Sequence, residues 1–294
     1  MGSETLASFL MTFTFADTLS TGALCTLFNS AFSDYVLPMV LTEPVMTLKL
    51  TRDGTNLYLS PLALEQGKPV GFILNALGTW QGKRTAYNGG TGVVPEARGQ
   101  ALTAQLYAYV LPFLKAQGVE QCLLEVIQQN TRALGVYSRL GFKVTRSLKC
   151  FRGVKANLRW HTHTPQRVNF LKVAFPNWPL YQRFWDVAPS WQHQTASIDR
   201  SQGHVQIVEA QVDGRCVGYG IVYPLTGAVA QLAVDKAWRG QGIGQALLQE
   251  FLPFTTQPAV SMVNVEDGAD SLLQFLQNRN MTETLSQYEM VWAV

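Results

Sequence analysis

The sequence predicts an α/β (α+β) chain made of two copies of one domain. Three observations carry this. Apolar runs separated by short glycine-containing turns read as an antiparallel meander, and each meander is followed by helix, strand, helix, strand. That order occurs twice. The arginine that opens the turn after each meander recurs, as Arg98 and Arg239, at an offset of 239 − 98, or 141 residues, which is the size of a domain.

Taken in order, Asp17 or Ser20 caps a first helix carrying Leu24, Leu27, Phe28 and Phe32. Phe32 to Tyr35 follows, and Pro38 and Pro44 break the pattern. Leu57 to Leu64 reads as a strand, Gln66-Gly67-Lys68-Pro69 as a turn and Val70 to Ala76 as the next strand. Thr79 to Lys83 turns the chain, and Thr85 to Val94 returns as a third strand interrupted by Gly89-Gly90. Arg98-Gly99-Gln100-Ala101-Leu102-Thr103 opens a helix whose Leu102, Leu106, Tyr109, Val110 and Phe113 recur at helical spacing until Gly118. Cys122 to Ile127 is a buried strand, Asn130 caps a helix that Gly141 ends, and Phe142 to Phe151 is a last strand.

Gly153 to Val168 is polar, contains Pro165 and reads as a linker, which divides the chain into 1–152, a linker 153–167, and 168–294. The second meander is Val205 to Gln211, Arg215 to Tyr223 and Ala228 to Val234, with Asp213-Gly214 as a hairpin turn. Arg239-Gly240-Gln241-Gly242-Ile243-Gly244 opens its helix. Ala259 to Val265 is a strand, Asp270 to Arg279 a helix and Leu285 to Val294 the closing strand. Before this meander, Phe175, Trp178, Tyr181, Phe184, Trp185 and Trp191 crowd together, as a core staple or as an apolar wall beside a ligand cleft.

Composition bounds the function. Of 294 residues 47% are hydrophobic and 15% charged, enough for sizeable cores and against disorder. The net charge of +3 is spread thinly, which argues against a nucleic-acid surface. Four cysteines stand without a C-x-x-C pair or metal-ligand spacing and read as core thiols. His161 and His163 show no third ligand, so no metal is expected and solvated linker histidines are the simpler reading. No run of about 18 apolar residues appears, so no membrane partner is expected, and the chain reads as soluble and cytoplasmic.

The chemistry concentrates where strand turns into helix. The first amides of a helix have no partner within it, and its dipole favours negative charge. Small residues in the turn let backbone approach a ligand, and an arginine adds a cation. Val93, Val94 and Arg98 to Thr103 therefore make a site for an anion such as a pyrophosphate, and Val234 and Arg239 to Gly244 make another. In the second, Gly242 and Gly244 stand where the first has Ala101 and Thr103. Ala101 is tolerable on the expectation that its φ stays negative. A dinucleotide fingerprint at Gly240-Gln241-Gly242 fails because Gln245 takes the place of the third glycine. A tight turn alone is the bland reading of that loop.

Arg98 to Thr103, followed by Asn130, Ala133, Tyr137 and Gly141-Phe142, resembles the GCN5-related N-acetyltransferases (GNAT), whose loop is Gln/Arg-x-x-Gly-x-Gly/Ala. The resemblance covers roughly residues 12–152 and implies two tandem GNAT folds, each a mixed, mostly antiparallel sheet flanked by helices. It implies acetyl-CoA as co-substrate, with no metal, and Asn130, Ala133 and Tyr137 on a helix facing the coenzyme. Glu125 precedes Tyr137 by 12 residues, the spacing at which ribosomal-protein N-terminal acetyltransferases place a strand base and a helix acid. The resemblance thus implies that Glu125 accepts the amine proton, Tyr137 serves the coenzyme sulfur, and a backbone N–H near Val93 or Val94 holds the developing oxyanion. As structural alternatives, Glu125 is a buried carboxylate, Tyr137 a core aromatic and Asn130 only a cap.

Aligning Gly141-Phe142 with Asn280-Met281 sets Asn264 opposite Glu125, Ala269 opposite Asn130 and Leu276 opposite Tyr137. The second copy has the fuller loop and lacks all three polar groups. The expectation is an N-acetyltransferase of the acyltransferase class EC 2.3.1, acting on a small-molecule or peptide amine by direct transfer in a ternary complex, with the N-terminal copy catalytic. The alternative is a non-catalytic coenzyme A or acyl-CoA binding module or sensor using the C-terminal copy; a third reading makes both copies structural. A tandem repeat satisfies internally the pairing that single domains make as dimers, which favours a monomer.

Overall fold

A computed structural model describes residues 11–34, 40–162, 165 and 167–294. The expectations resting on Tyr35, Pro38 and His163 lie outside the described residues. In chain order the elements are β1 (Met11–Phe15), α1 (Thr21–Ala31), α2 (Glu43–Asp53), β2 (Pro61–Glu65), β3 (Lys68–Trp80), β4 (Lys83–Val93), α3 (Leu102–Ala116), β5 (Gln121–Ile127), α4 (Thr131–Leu140) and β6 (Lys143–Val154). They continue with β7 (Asn169–Val173), α5 (Trp178–Tyr181), α6 (Thr195–Arg200), β8 (Gln206–Val212), β9 (Arg215–Tyr223), β10 (Ala228–Val234), α7 (Ile243–Phe251), β11 (Ala259–Glu266), α8 (Asp270–Asn278) and β12 (Thr282–Ala293).

Local chemistry explains most of these boundaries. The Ser20 hydroxyl accepts from the Ala23 N–H at 3.2 Å and starts α1. Pro44 does not break the chain but opens α2 at its first turn, where its missing N–H costs nothing, and Gly54 ends that helix with φ 75°. Leu57–Leu59 is a 3-10 turn rather than strand, because Asn56 caps it through Tyr58 N–H. The hairpins turn at Gln66-Gly67, Gln81-Gly82 and Asp213-Gly214, each pair with both φ positive, the geometry that matches strand twist. The linker expected from Gly153 begins inside β6, which runs to Val154.

The chain forms two compact units: residues 1–125, 131–143 and 290–294 in one, 126–130 and 144–289 in the other. In unit one, β1 to β4 pair antiparallel in sequence order and β4 pairs with β5 in parallel. The end of β12 joins this unit, where Val294 N–H donates to Glu120 O at 3.1 Å. In unit two, β7 to β10 pair antiparallel, β10 meets β11 in parallel, and β11 pairs antiparallel with β6. The closing strand of the first sequence copy thus lies in the second unit, so neither unit is a contiguous segment.

Each unit has its own core. In unit one α1 packs Leu24, Phe28 and Ala31 with Phe72 and Leu74 of β3. In unit two α7 packs Leu247, Leu248 and Phe251 with Val208, Val217 and Val260. Gly220 permits this approach, because a Cβ there would lie 2.2 Å from Phe251 Cζ.

Candidate functional site

Both units carry the same device at the third strand of their meander. The pairing of β4 with β5 ends at Asn88↔Leu124, and that of β10 with β11 is confined to Ala228↔Ser261. Each of β4 and β10 holds one bulge residue, Gly89 and Ala230, again 141 positions apart. A bulge bends its strand, here where it parts from its parallel neighbour.

The loop arginines make matching bonds. Arg98 Nε donates to Val93 O at 3.1 Å, one terminal nitrogen to Ala31 O at 3.0 Å, and both terminal nitrogens to Asp34 at 2.6 and 2.7 Å. Arg239 donates to Val234 O at 3.0 Å, Phe184 O at 3.0 Å and Asp186 Oδ2 at 2.8 Å. The Arg98 hydrogen bond holds the Asp34 carboxyl below the usual range. Burial pushes the Asp186 carboxyl up, and the bonds and charges of Arg239 and Lys236 together bring it below the usual value. These bonds revise the expectation that the guanidinium faces the anion: its charge is matched locally, and it fixes the loop to its own strand.

What the loops offer an anion is backbone. Gly99 and Gly240 have φ 88° and 77°, and Ala101 and Gly242 have φ 55° and 81°. The expectation of a negative φ at Ala101 is overturned: the turn needs a left-handed residue there, and copy one meets the need with an alanine under strain. Leu102 is buried, and Gln100 O accepts from the Gln105 side chain at 2.7 Å. The helices then start at Leu102 and Ile243, with Thr103 and Gly244 in their first turns.

In unit one Glu125 is the first residue beyond the last β4–β5 pair. Tyr87, buried on β4, donates its hydroxyl to Glu125 Oε2 at 2.6 Å. Burial first, and the Glu125 charge second, push the phenol well above its usual range, so it remains a donor. Lys49 Nζ donates to the bulge carbonyl of Gly89 and to Asp53 Oδ2, both at 2.6 Å, while Arg52 Nε donates to Asp53 Oδ1 at 2.9 Å. Asp53 is fully buried; burial raises its pKa, and Arg52 and Lys49 bring it below the usual carboxylate value. Tyr137 is buried and packs edge-on against Phe142, with ring centroids 5.6 Å apart. Ala133 lies on the same helix, α4.

Asn130 directly precedes α4, and its N–H donates to Ile127 O at 3.0 Å. Of the two amides expected to hold an oxyanion, at Val93 and Val94, the Val94 N–H donates to Val70 O at 2.9 Å. Tyr87, Lys49 and Asp53 were not singled out by sequence. Their signal is weak: a tyrosine two positions before the interrupting glycines, and a Lys/Asp pair at i, i+4.

Unit two contains a cavity of about 520 Å³, within the range of small-molecule sites. Val234, Arg239, Gly240, Gly242, Ile243 and Gly244 all line it, and Gln241 does not. Asn264 and Phe275 contribute from the β11 and α8 side. Asn264 holds φ 57°, and its Oδ1 accepts from Gln287 Nε2 at 2.7 Å; Leu276 is buried in the core. The aromatic cluster divides between its two readings. Tyr181 and Trp191 are fully buried, Phe184 and Trp185 line the cavity, and Phe175 is exposed.

Among the described residues no three His, Cys, Asp or Glu side chains gather as metal ligands, and no helix is long and apolar enough to cross a membrane. All four cysteines are buried and unpaired with one another.

The model of the acetyltransferase (GNAT) family matches residues 23–142 and 170–270, together more than half the chain. A tandem GNAT protein from the clavulanic acid biosynthesis pathway has a similar fold, with TM-score 0.72 at 13% identity over 97% of this chain and 98% of that one. A GCN5-related N-acetyltransferase from Sphaerobacter thermophilus aligns with TM-score 0.68 at 17% identity over 96% and 95%. One from Anabaena variabilis aligns with TM-score 0.56 at 14% identity over 96% and 72%. No curated protein matches the sequence.

Proposed function

The chain belongs to the GNAT family of acetyltransferases in a tandem architecture, and from that premise we propose that it acetylates a primary amine, small-molecule or peptide, with the chemistry in the N-terminal copy. Acetyl-CoA supplies the acetyl group. Transfer is direct, within a ternary complex. The observation that carries the assignment to copy one is Glu125, held by the Tyr87 hydroxyl where β4 and β5 part. An alkylammonium must lose a proton at a pKa of about 10 before it can attack. Glu125 is the acceptor for that proton, directly or through water. Tyr137 is the hydroxyl donor for the sulfur.

The chain's own residues suit the coenzyme in both copies. Gly99, Ala101 and the first turn of α3 offer amides to a pyrophosphate, as do Gly240, Gly242 and the first turn of α7. Copy two lacks the acid–base pair, since Asn264 and Leu276 stand at the corresponding positions. We place the protein in the cytoplasm and take it as a monomer.

The test is thiol release from acetyl-CoA across an amine panel, with Glu125→Gln and Tyr137→Phe beside the wild type. Removal of a general base lowers turnover by a factor of about 10² to 10⁴. Unchanged turnover in both variants on a genuine substrate sinks the assignment.

A further inference from the structure

The point where β4 and β5 part carries two buried tyrosine hydroxyls, one on each face of the sheet. Tyr87 and Asn88 are successive residues of β4, so their side chains take opposite faces. On one face Tyr87 bonds Glu125. On the other, Asn88 Nδ2 donates to the hydroxyl of Tyr107, on α3, at 2.8 Å. Asn88 is the last β4 residue paired with β5, so this bond stands the Tyr107 oxygen at the apex of the splay. Asn88 is itself fixed: its Oδ1 accepts from Gly90 N–H at 2.9 Å, and its Nδ2 also donates to Thr91 Oγ1 at 2.7 Å.

Tyr107 is 1% exposed. The bond from Asn88 uses a lone pair of its oxygen, which leaves the Tyr107 proton for a second acceptor. The ring lies on the side of Tyr137: Phe142 is edge-on to both tyrosines, with centroids 5.6 Å from each. Burial first, and the charge of an ionised Tyr137 next, hold the Tyr107 phenol well above its usual range, so it keeps its proton when Tyr137 loses one. Three kinds of ionisable group surround the two. Burial pushes the Cys122 thiol of β5 up to about 12. Glu125 takes the opposite face of β5, and Arg132 and Arg139 of α4 are exposed.

Copy two dispenses with the pair. At the offset of 141 residues, Val229 stands for Asn88 and Leu248 for Tyr107, both buried in the core of unit two. The same scaffold thus closes over two apolar side chains, whereas a buried polar pair has to be matched bond for bond. The pair is present beside Tyr137 and gone from the copy that has Leu276.

We propose that Tyr107 is a positioning residue for Tyr137, holding its hydroxyl at the apex and donating a hydrogen bond to the phenolate oxygen left when Tyr137 gives up its proton. In the transfer the amine nitrogen bonds the acyl carbon, the C–S bond breaks with its electron pair going to sulfur, and the Tyr137 proton makes the thiol. Tyr107 keeps its own proton, and water restores that of Tyr137. The inference rests on the reading of Tyr137 as the acid.

The experiment compares the full wild-type chain with Tyr107→Phe, which keeps the ring contacts. In ligand-free protein isotope-labelled at the tyrosine Cζ carbon, NMR follows the ionisation of Tyr137, identified by the signal that Tyr137→Phe lacks. Loss of the Tyr107 donor disfavours the phenolate, so this titration moves up by about one pH unit. With an amine from the panel, kcat falls about tenfold, the KM for acetyl-CoA holds, and the alkaline limb of the pH–rate profile moves up likewise. Added to Tyr137→Phe, Tyr107→Phe lowers kcat no further.

A Tyr137 titration that stays in place, or that lies beyond reach in the wild type, overturns the proposal, as does an additive loss of kcat in the double variant. Unchanged turnover in Tyr137→Phe alone removes the acid assignment and this inference with it. Loss of turnover in Glu125→Gln and Tyr137→Phe, with neither kcat nor the titration moved by Tyr107→Phe, leaves that assignment standing and sinks this inference alone.

Discussion

Copy one and copy two each fasten their loop through an arginine with three matching partners, and they differ in what lies next to the loop. Arg98 and Arg239 tie the chain to the preceding strand, to a carbonyl upstream and to an aspartate. Both copies bulge at the same position, but they brace the bulge differently. Copy one uses ions: Lys49 donates to the Gly89 carbonyl and to the Asp53 carboxylate. Around the bulge of copy two runs a neutral chain in which Tyr219 donates to Gln231 and Gln231 to the His193 carbonyl. Copy one keeps a carboxylate and a phenol at the splay; copy two keeps the glycines and a cavity. The scaffold thus needs the arginine and the bulge, while the polar groups at the splay and the glycines of the loop vary between copies on one scaffold.

Chemistry gives the largest way to break this comparison. Glu125→Gln lowers kcat/KM by a factor of about 10² to 10⁴, and a pH–rate profile shows the loss of the acid-side limb. Leu276→Tyr in copy two restores nothing, because Asn264 still replaces the carboxylate.

The ionic brace comes next. Asp53→Asn removes the fully buried anion beside half-buried Lys49 and Arg52 and destabilises the protein by about 3 kcal/mol, read from urea unfolding. Because the folded-state pKa of Asp53 is depressed below 3.8, its contribution is fully present above that pH and is lost as pH falls through the lower folded value. The wild type therefore loses stability below pH 3.8 by a route that Asp53→Asn lacks.

Packing effects are smaller. Gly220→Ala forces a Cβ into Phe251 and costs about 2 kcal/mol by the same measurement. The loops give the finest test. Gly242→Ala costs and Ala101→Gly gains about 0.5 kcal/mol, each being the left-handed penalty on a side chain less the extra freedom of the unfolded glycine. Equal and opposite responses would show two turns of one geometry that differ only in residue.

Much of this architecture was legible because it rests on local signals. The glycine turns, the apolar strands and the repeated arginine fix element order, and the family motif fixes the sheet. The α2 helix was missed because Pro44 reads as a breaker until its place in the first turn is known. The strand exchange was invisible, since β6 and β12 look alike to either sheet. Sequence placed Glu125 on its strand, Tyr137 on its helix and each loop just before a helix, as the structure has them. It misjudged Ala101, whose φ is set by the turn rather than by residue preference, and the arginine side chains, whose partners Asp34 and Asp186 lie 64 and 53 residues away. Tyr87 and Tyr107 gain meaning only from what they face.

The most direct test of the central claim, that chemistry sits in copy one on a loop equivalent to that of copy two, is amine acetylation by Ala101→Asp and Gly242→Asp measured side by side. A carboxylate in either loop repels a pyrophosphate locally. The account predicts that Ala101→Asp abolishes acetylation and Gly242→Asp leaves it. The reverse pattern would move the chemistry to copy two and contradict it.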